Sequence, residues 1–318
     1  MRFIRRRVLI YRRSARNGLL LLFFLAVAAC GRAEMSDPHS RIIEVAGRSV
    51  HVWQAGSGPA VILLHGAGGN LRDFTFRLAP DLTDRYTVIA FDRPGLGLSE
   101  GLGLGHDGPA EQAALLSLAA GRLGVGQAVI VGHSYGGAVA MAWALNHPDQ
   151  AAGIVLLAGA TQPWEGGLGA YYRITGSALG GVTAVPLIAN LTPRRAALNV
   201  IERIFAPDPV PDGYGSHIRP ELTLQSSVLR ANARQVNDLL EHVTAMAPRY
   251  ATLDIPVEMI HGSADDTVPL NVHSIPLAAQ VPGANLTVLE GVGHMPHHAD
   301  PMATLDAIDR VATRAGLR

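Results

Sequence analysis

The stretch Ala128-Val-Ile-Val-Gly-His-Ser-Tyr-Gly-Gly137 decides the fold. Residues 128–131 are all apolar and read as a buried strand, Gly132-His133-Ser134-Tyr135-Gly136 follows at once, and the Ala-rich run to residue 146 has a helical pattern. A serine framed by glycines at a strand-to-helix turn is held in a strained backbone conformation. Small residues at 132, 136 and 137 let the helix cross close to the strand, so that the Ser134 hydroxyl projects above the sheet. Ser134 is therefore the candidate nucleophile.

On either side of this turn the same rhythm repeats. Short apolar runs at 60–64, 87–91 and 153–158 alternate with helical patterns such as 110–123, as expected of a parallel sheet whose strands are buried on both faces. Two more strands, 41–45 and 49–54, precede them, joined by a tight turn at Ala46-Gly47-Arg48. From 160 to 253 the rhythm stops and the chain turns helical. Prolines break this part at 206–211, and one long amphipathic stretch runs from Glu221 to about Met246. Strands return at 256–261 and 285–289, before a closing helix over 301–315. The pattern predicts an α/β fold: a mostly parallel, doubly wound sheet over 41–159 and 254–318, with a helical lid inserted at 160–253.

Composition agrees and removes several chemistries. With 48% apolar residues, 35 Gly and 20 Pro, the 318-residue chain can bury a large core joined by many tight connections. All 26 basic residues are Arg, so no lysine Schiff base, Ser-Lys dyad or P-loop can form. Seven of those arginines lie in residues 1–30, which hold no acid; the remaining 19 face 26 acids, so the body is mildly acidic. It has no basic stripe for nucleic acid.

The leader is basic, then apolar over about 12 residues from Gly18 to Ala29, then reaches Cys30. Such a run is short of the roughly 20 residues that span a bilayer and reads as an export signal, 1–29, followed by a tether, 30–40. Leu25-Ala-Val-Ala-Ala-Cys30-Gly31 resembles the lipobox of bacterial lipoprotein signal peptides, which implies lipidation of Cys30. A retained signal anchor is the alternative, and either reading places the body outside the cytoplasm at a membrane. Cys30 is the only cysteine, so an internal disulfide is impossible.

A serine hydroxyl is a poor nucleophile at neutral pH unless a base takes its proton and a third group holds that base. His294, in Gly291-Val-Gly-His-Met-Pro296, follows the last strand; Asp265, in His261-Gly-Ser-Ala-Asp-Asp-Thr-Val-Pro269, follows the one before. Asp266 competes for the acid role, and the spacing to Val268-Pro269 favours Asp265. His133 is expected to point away by alternation, and His65 to brace its own loop.

These motifs, in the order Ser, Asp, His, resemble the α/β-hydrolase superfamily from about residue 41 to the C-terminus, apart from the lid. His65-Gly66-Ala67-Gly68-Gly69 is similar to the oxyanion-hole loop of that superfamily, and Asp92-Arg-Pro-Gly-Leu-Gly-Leu-Ser99 to the loop after its fourth strand. The resemblance implies that the backbone N–H groups of Ala67 and Tyr135 bind the oxyanion. It also implies a serine hydrolase acting by acyl transfer on a small-molecule acyl substrate, most simply a carboxylic ester. Thioester, amide and carbon–carbon bond hydrolases and haloperoxidase-like enzymes share the scaffold and the serine, while a non-enzymatic receptor is a further alternative. Epoxide hydrolases and haloalkane dehalogenases put an aspartate where Ser134 stands. No cofactor is implied, and no metal: the run from His294 to His298 lacks ligand spacing and a nearby acid partner. The glycine-rich 95–108 is expected to be a loop. In the lid, Leu168, Tyr171, Tyr172, Ile174, Leu187, Ile204 and Phe205 are candidates either to line an acyl pocket or to pack the lid onto the core.

Overall fold

From the third strand to the last, the strands of the central sheet run parallel to one another, as the uninterrupted apolar runs require. The computed structural model describes residues 37–166 and 169–318. Its strands are β1 (Ser40–Val45), β2 (Arg48–Ala55), β3 (Ala60–Leu64), β4 (Thr87–Phe91), β5 (Ala128–His133), β6 (Ala151–Leu157), β7 (Val257–Gly262) and β8 (Asn285–Leu289). They form one sheet in the order β1-β2-β4-β3-β5-β6-β7-β8. The pair β2/β4 is antiparallel, and from β4 through β3, β5, β6 and β7 to β8 all pairing is parallel.

Alternation along the strands sorts the core into two layers. Ile62, Leu64, Ile130, Ile154 and Leu156 face one side. Val61, Leu63, Val129, Val131 and Val155 face the other. The second side is covered by α1 (Arg72–Thr75), α2 (Leu78–Leu82) and the C-terminal helix; the first by α3 (Pro109–Arg122) and α4 (Tyr135–Asn146). Fully burying each such aliphatic side chain contributes about 1.5–3 kcal/mol, which makes both faces necessary. Every residue of β5 and β6 is buried. The edge strand β8 has no buried residue, its positions being half-buried or exposed.

Between β6 and β7 the chain forms α5 (Gly169–Gly176), α6 (Ala178–Leu191), α7 (Arg194–Phe205), α8 (Tyr214–His217), α9 (Pro220–Thr223) and α10 (Ser226–Met246). The amphipathic stretch expected to be continuous from Glu221 is divided. Helix α9 ends at Thr223, Leu224 and Gln225 intervene, and α10 begins at Ser226, with Gln225 in an extended conformation. Helices α11 (Ser274–Gln280), α12 (Pro296–Ala299) and α13 (Pro301–Arg314) complete the fold. The N-cap of α13 is Asp300, whose side chain accepts from the Ala303 N–H. The glycine-rich 95–108 is a loop that ends as the N-cap of α3.

Because β3, β5, β7 and β8 run parallel, their C-terminal ends lie on the same side of the sheet. The segments carrying Ala67, Ser134, Asp265 and His294 each leave one of these ends. The leader and Cys30 lie outside the described residues.

Candidate active site

Ser134 adopts φ 52° and ψ −120°, a region that a residue with a Cβ rarely occupies. Its surroundings hold it there. The Ser134 N–H donates to the Leu157 carbonyl at 3.0 Å, and its own carbonyl accepts from the N–H groups of Gly137 at 2.9 Å and Ala160 at 3.0 Å. The flanking glycines are sterically required: a Cβ on Gly136 would lie 2.0 Å from the Leu64 carbonyl oxygen, and one on Gly132 would lie 2.3 Å from that of Gly136. The small-residue pattern of the turn thus reflects backbone packed against backbone.

Asp265 is buried and Asp266 exposed, which separates the two candidate acids. One Asp265 oxygen, Oδ1, accepts from the Thr267 and Val268 N–H groups, each at 2.9 Å. The other, Oδ2, lies 2.7 Å from His294 Nδ1 and 3.1 Å from His261 Nε2. Burial by itself raises the pKa of this carboxyl. The hydrogen bonds from His261, His294 and the Val268 N–H outweigh burial and hold it well below the ordinary carboxylate value. An ionised carboxylate only accepts, so the His294 Nδ1 that faces it carries a proton.

His133, expected to be structural, has a definite task. Its Nε2 donates to the His294 backbone carbonyl at 3.0 Å, tying the loop after β8 to the turn after β5. Burial, then repulsion from His297 and His294, pushes its pKa well down, so it stays neutral. His65 braces its loop as expected: Nδ1 donates to the Gly66 carbonyl at 2.9 Å, Nε2 accepts from the Arg93 N–H at 3.0 Å, and burial lowers its pKa to about 4.

The loop bearing Ala67 lies against Ser134. A Cβ on Gly66 would stand 3.1 Å from the Ser134 Cβ. The Tyr135 N–H is the first of α4 and so has no intrahelical acceptor. Arg93, which sequence inspection passed over, is fully buried and clamps this loop. It donates to the carbonyls of His65 at 2.7 Å and Gly66 at 2.9 Å, and to Gln112 and Gln235, while its guanidinium lies 4.3 Å from the Tyr135 ring centroid. The insertion grips the loop from the other side: Asn232 accepts from the Gly68 N–H at 2.6 Å, and Thr223 donates to the Gly68 carbonyl at 2.8 Å.

The run after His294 does acquire an acid partner, contrary to expectation, because the fold brings Asp73 to it from α1. Asp73 Oδ1 accepts from His298 Nε2 at 2.8 Å and Tyr214 OH at 2.9 Å, and Oδ2 lies 3.2 Å from His297 Nε2. Asp73, His297 and His298 are close enough together to suit a metal ion. However, the Nδ1 atoms of both histidines are buried without a partner. A ligating histidine normally donates its other N–H to an acceptor, so coordination through Nε2 would orphan two buried donors. Hydrogen bonding to Asp73 leaves Nδ1 as a bare acceptor at lower cost. The cluster therefore works as a strut joining α1, α8 and α12. Asp73→Asn places an amide NH2 against an N–H or O–H donor and is expected to lower unfolding stability by about 3 kcal/mol, read as a reduced urea midpoint with an unchanged m-value.

A cavity of about 470 Å³ opens beside these loops, lined by residues 66–69, Asp73, His133 and Met295 from the core and by mainly apolar side chains of the insertion, with Thr192, Arg203, Thr223 and Asn232 among them. Of the insertion residues singled out from sequence, Tyr172, Ile204 and Phe205 line it. Ile174 and Leu187 are solvent-exposed instead. Leu168 and the Tyr171 side chain lie outside the described residues.

Residues 61–307 match the alpha/beta hydrolase family. The chain belongs to that family. This α/β-hydrolase is 29% identical over 285 residues to an uncharacterized protein of Mycobacterium tuberculosis, covering 83% of this chain and 79% of the relative. It is 30% identical over 285 residues to the 2-hydroxymuconate semialdehyde hydrolase of Pseudomonas putida, covering 86% and 94% respectively. An esterase from a Rhodococcus species has a similar structure, with a TM-score of 0.66 at 25% identity over 87% of this α/β-hydrolase and 98% of that chain.

Proposed function

We propose that this α/β-hydrolase cleaves carboxylic esters through an acyl-enzyme on Ser134, with His294 as base and Asp265 as its partner. The observation that carries the reading is a histidine whose Nδ1 is fixed 2.7 Å from a buried, ionised aspartate and whose carbonyl is tied to His133, the residue before a serine held at φ 52°. In the reaction His294 Nε2 takes the Ser134 proton as Oγ attacks the ester carbonyl carbon. The negative charge passes to the carbonyl oxygen, where the Ala67 and Tyr135 N–H dipoles stabilise it without reorganising. Collapse expels the alcohol, which takes the proton from His294. Water, deprotonated by the same nitrogen, then releases the acid and restores Ser134.

A second reading is hydrolysis of a carbon–carbon bond next to a ketone. The Pseudomonas putida relative, a 2-hydroxymuconate semialdehyde hydrolase, favours it, whereas the Rhodococcus neighbour, an esterase, favours the first. Covalent labelling by a fluorophosphonate combined with turnover of 4-nitrophenyl esters tests the ester reading. Labelling with no turnover across a panel of esters, thioesters and amides overturns it.

The helices over 160–253 are read as a cap on the site, supported by their grip on Gly68 and their share of the cavity wall. Residues 1–29 are read as an export signal and Cys30 as the lipidated residue of a membrane-tethered, exported protein; the support is the sequence pattern alone. Palmitate incorporation is expected in the intact protein and lost in Cys30→Ser. Equal labelling of both overturns the assignment.

A further inference from the structure

Helix α6, Ala178-Leu-Gly-Gly-Val-Thr-Ala-Val-Pro-Leu-Ile-Ala-Asn-Leu191, contains no charged residue. A surface helix normally turns a polar face outward. Here Leu179, Leu187 and Leu191 share the outward stripe with Thr183, at successive intervals of four, and the leucines are 74%, 61% and 74% exposed. The inward face is apolar as well, with Val185 fully buried. Ile174 just before the helix and Val200 just after it extend the exposed apolar surface. Water is a poor solvent for such a surface, which marks an interaction site.

Two further observations choose the occupant. The charge of the segment is net positive: residues 165–203 hold Arg173, Arg194, Arg195 and Arg203 against Glu165 and Glu202, whereas the body as a whole is acidic. Arg195 is exposed. An apolar helix flanked by arginines suits a layer with hydrocarbon inside and negative charge at its surface. The same helix also reaches the cavity. Ile188 and Thr192 line it next to the outward-facing Leu187 and Leu191, and Val200 both lines the cavity and meets solvent. Helix α6 therefore presents leucines to solvent and Ile188 to the cavity beside the loops around Ser134.

We infer that the outward face of α6 docks on a phospholipid bilayer bearing anionic headgroups, and that the acyl chain of a membrane-borne ester enters the cavity past Ile188 and Val200. The docking stands on the exposed stripe and the charge; the substrate class rests on the ester-hydrolase reading above. The bilayer supplies hydrocarbon for the leucines, while the exposed Arg195 meets phosphate oxygens at the rim.

The test uses the full chain with vesicles of phosphatidylcholine and phosphatidylglycerol. Leu187→Trp adds a fluorophore to the stripe, and vesicles with brominated acyl chains are expected to quench its added emission, more strongly as phosphatidylglycerol increases. The triple variant Leu179→Ser, Leu187→Ser, Leu191→Ser, none of which lines the cavity, is expected to hydrolyse a vesicle-embedded long-chain ester about tenfold more slowly. Its rate on dissolved 4-nitrophenyl acetate should be unchanged. Absent quenching together with an unaltered vesicle rate overturns the docking, as does a concentration-dependent dimer that shields Leu187→Trp without lipid. Quenching without turnover of any ester leaves the docking intact and overturns the ester reading; turnover of dissolved ester without quenching does the reverse.

Discussion

Ser134→Ala is expected to lower kcat on a 4-nitrophenyl ester by about 10⁴ to 10⁶. The substitution removes one oxygen and leaves the rest of the site in place. The backbone bonds that fix φ at 52° involve the N–H and carbonyl of residue 134 and are retained. Loss of rate should therefore come without loss of fold, with stability shifting by less than about 1 kcal/mol. Ser134→Gly separates the two effects further: it is equally inactive, but glycine accepts a positive φ without a Cβ clash, so a gain of about 1 kcal/mol is expected. Steady-state kinetics and urea unfolding of both variants check this. A Ser134→Ala enzyme that retains most of its activity removes Ser134 from the chemistry.

Asp265→Asn is expected to reduce kcat by about 10⁴, although it matches the native side chain in shape. The carboxylate accepts on both oxygens: Oδ1 from two backbone N–H groups, Oδ2 from His294 and His261. An amide offers only one acceptor oxygen. If its NH2 faces His294, the imidazole must turn Nδ1 into an acceptor and carry its proton on Nε2, where it cannot serve as base. If the NH2 faces the loop instead, donors meet donors at Thr267 and Val268, and the segment must shift. The companion variant Asp266→Asn changes an exposed side chain and should leave kcat within about twofold. Equal losses from the two would reverse the assignment of the acid.

Much of this was legible in the sequence because the signals are local. A strand buried on both faces must be apolar throughout, so β3, β4, β5 and β6 appear as continuous runs, with ends displaced by only a residue or two. The turn at Ser134 is equally local, since its glycines answer to backbone contacts within a strand and the helix that follows. Division of α9 from α10 was less legible, because both halves carry the same amphipathic period and only an extended Gln225 separates them.

Other features had no local signal. Asp73 lies more than 220 residues from His297 and His298, and only the meeting of α1 with α12 brings the three together. Arg93 resembles any loop arginine until the carbonyls of His65 and Gly66 are seen to converge on it. His261 lies four residues before Asp265 but reads as the end of an ordinary strand, and its bonds to Asp265 and Ser274 emerge only when β7 and α11 pack.

By itself the sequence determined the alternation of strands and helices, the strained serine and the identity of the histidine and aspartate motifs, because each depends on neighbours along the chain. Only the tertiary structure buried Asp265 beside His294 and left Asp266 exposed, gave His133 and Arg93 their hydrogen-bond partners, supplied Asp73 to the histidine run and turned the leucines of α6 outward. Burial and convergence are properties of which surfaces meet, and segments far apart in a chain carry no mark of their meeting until it folds.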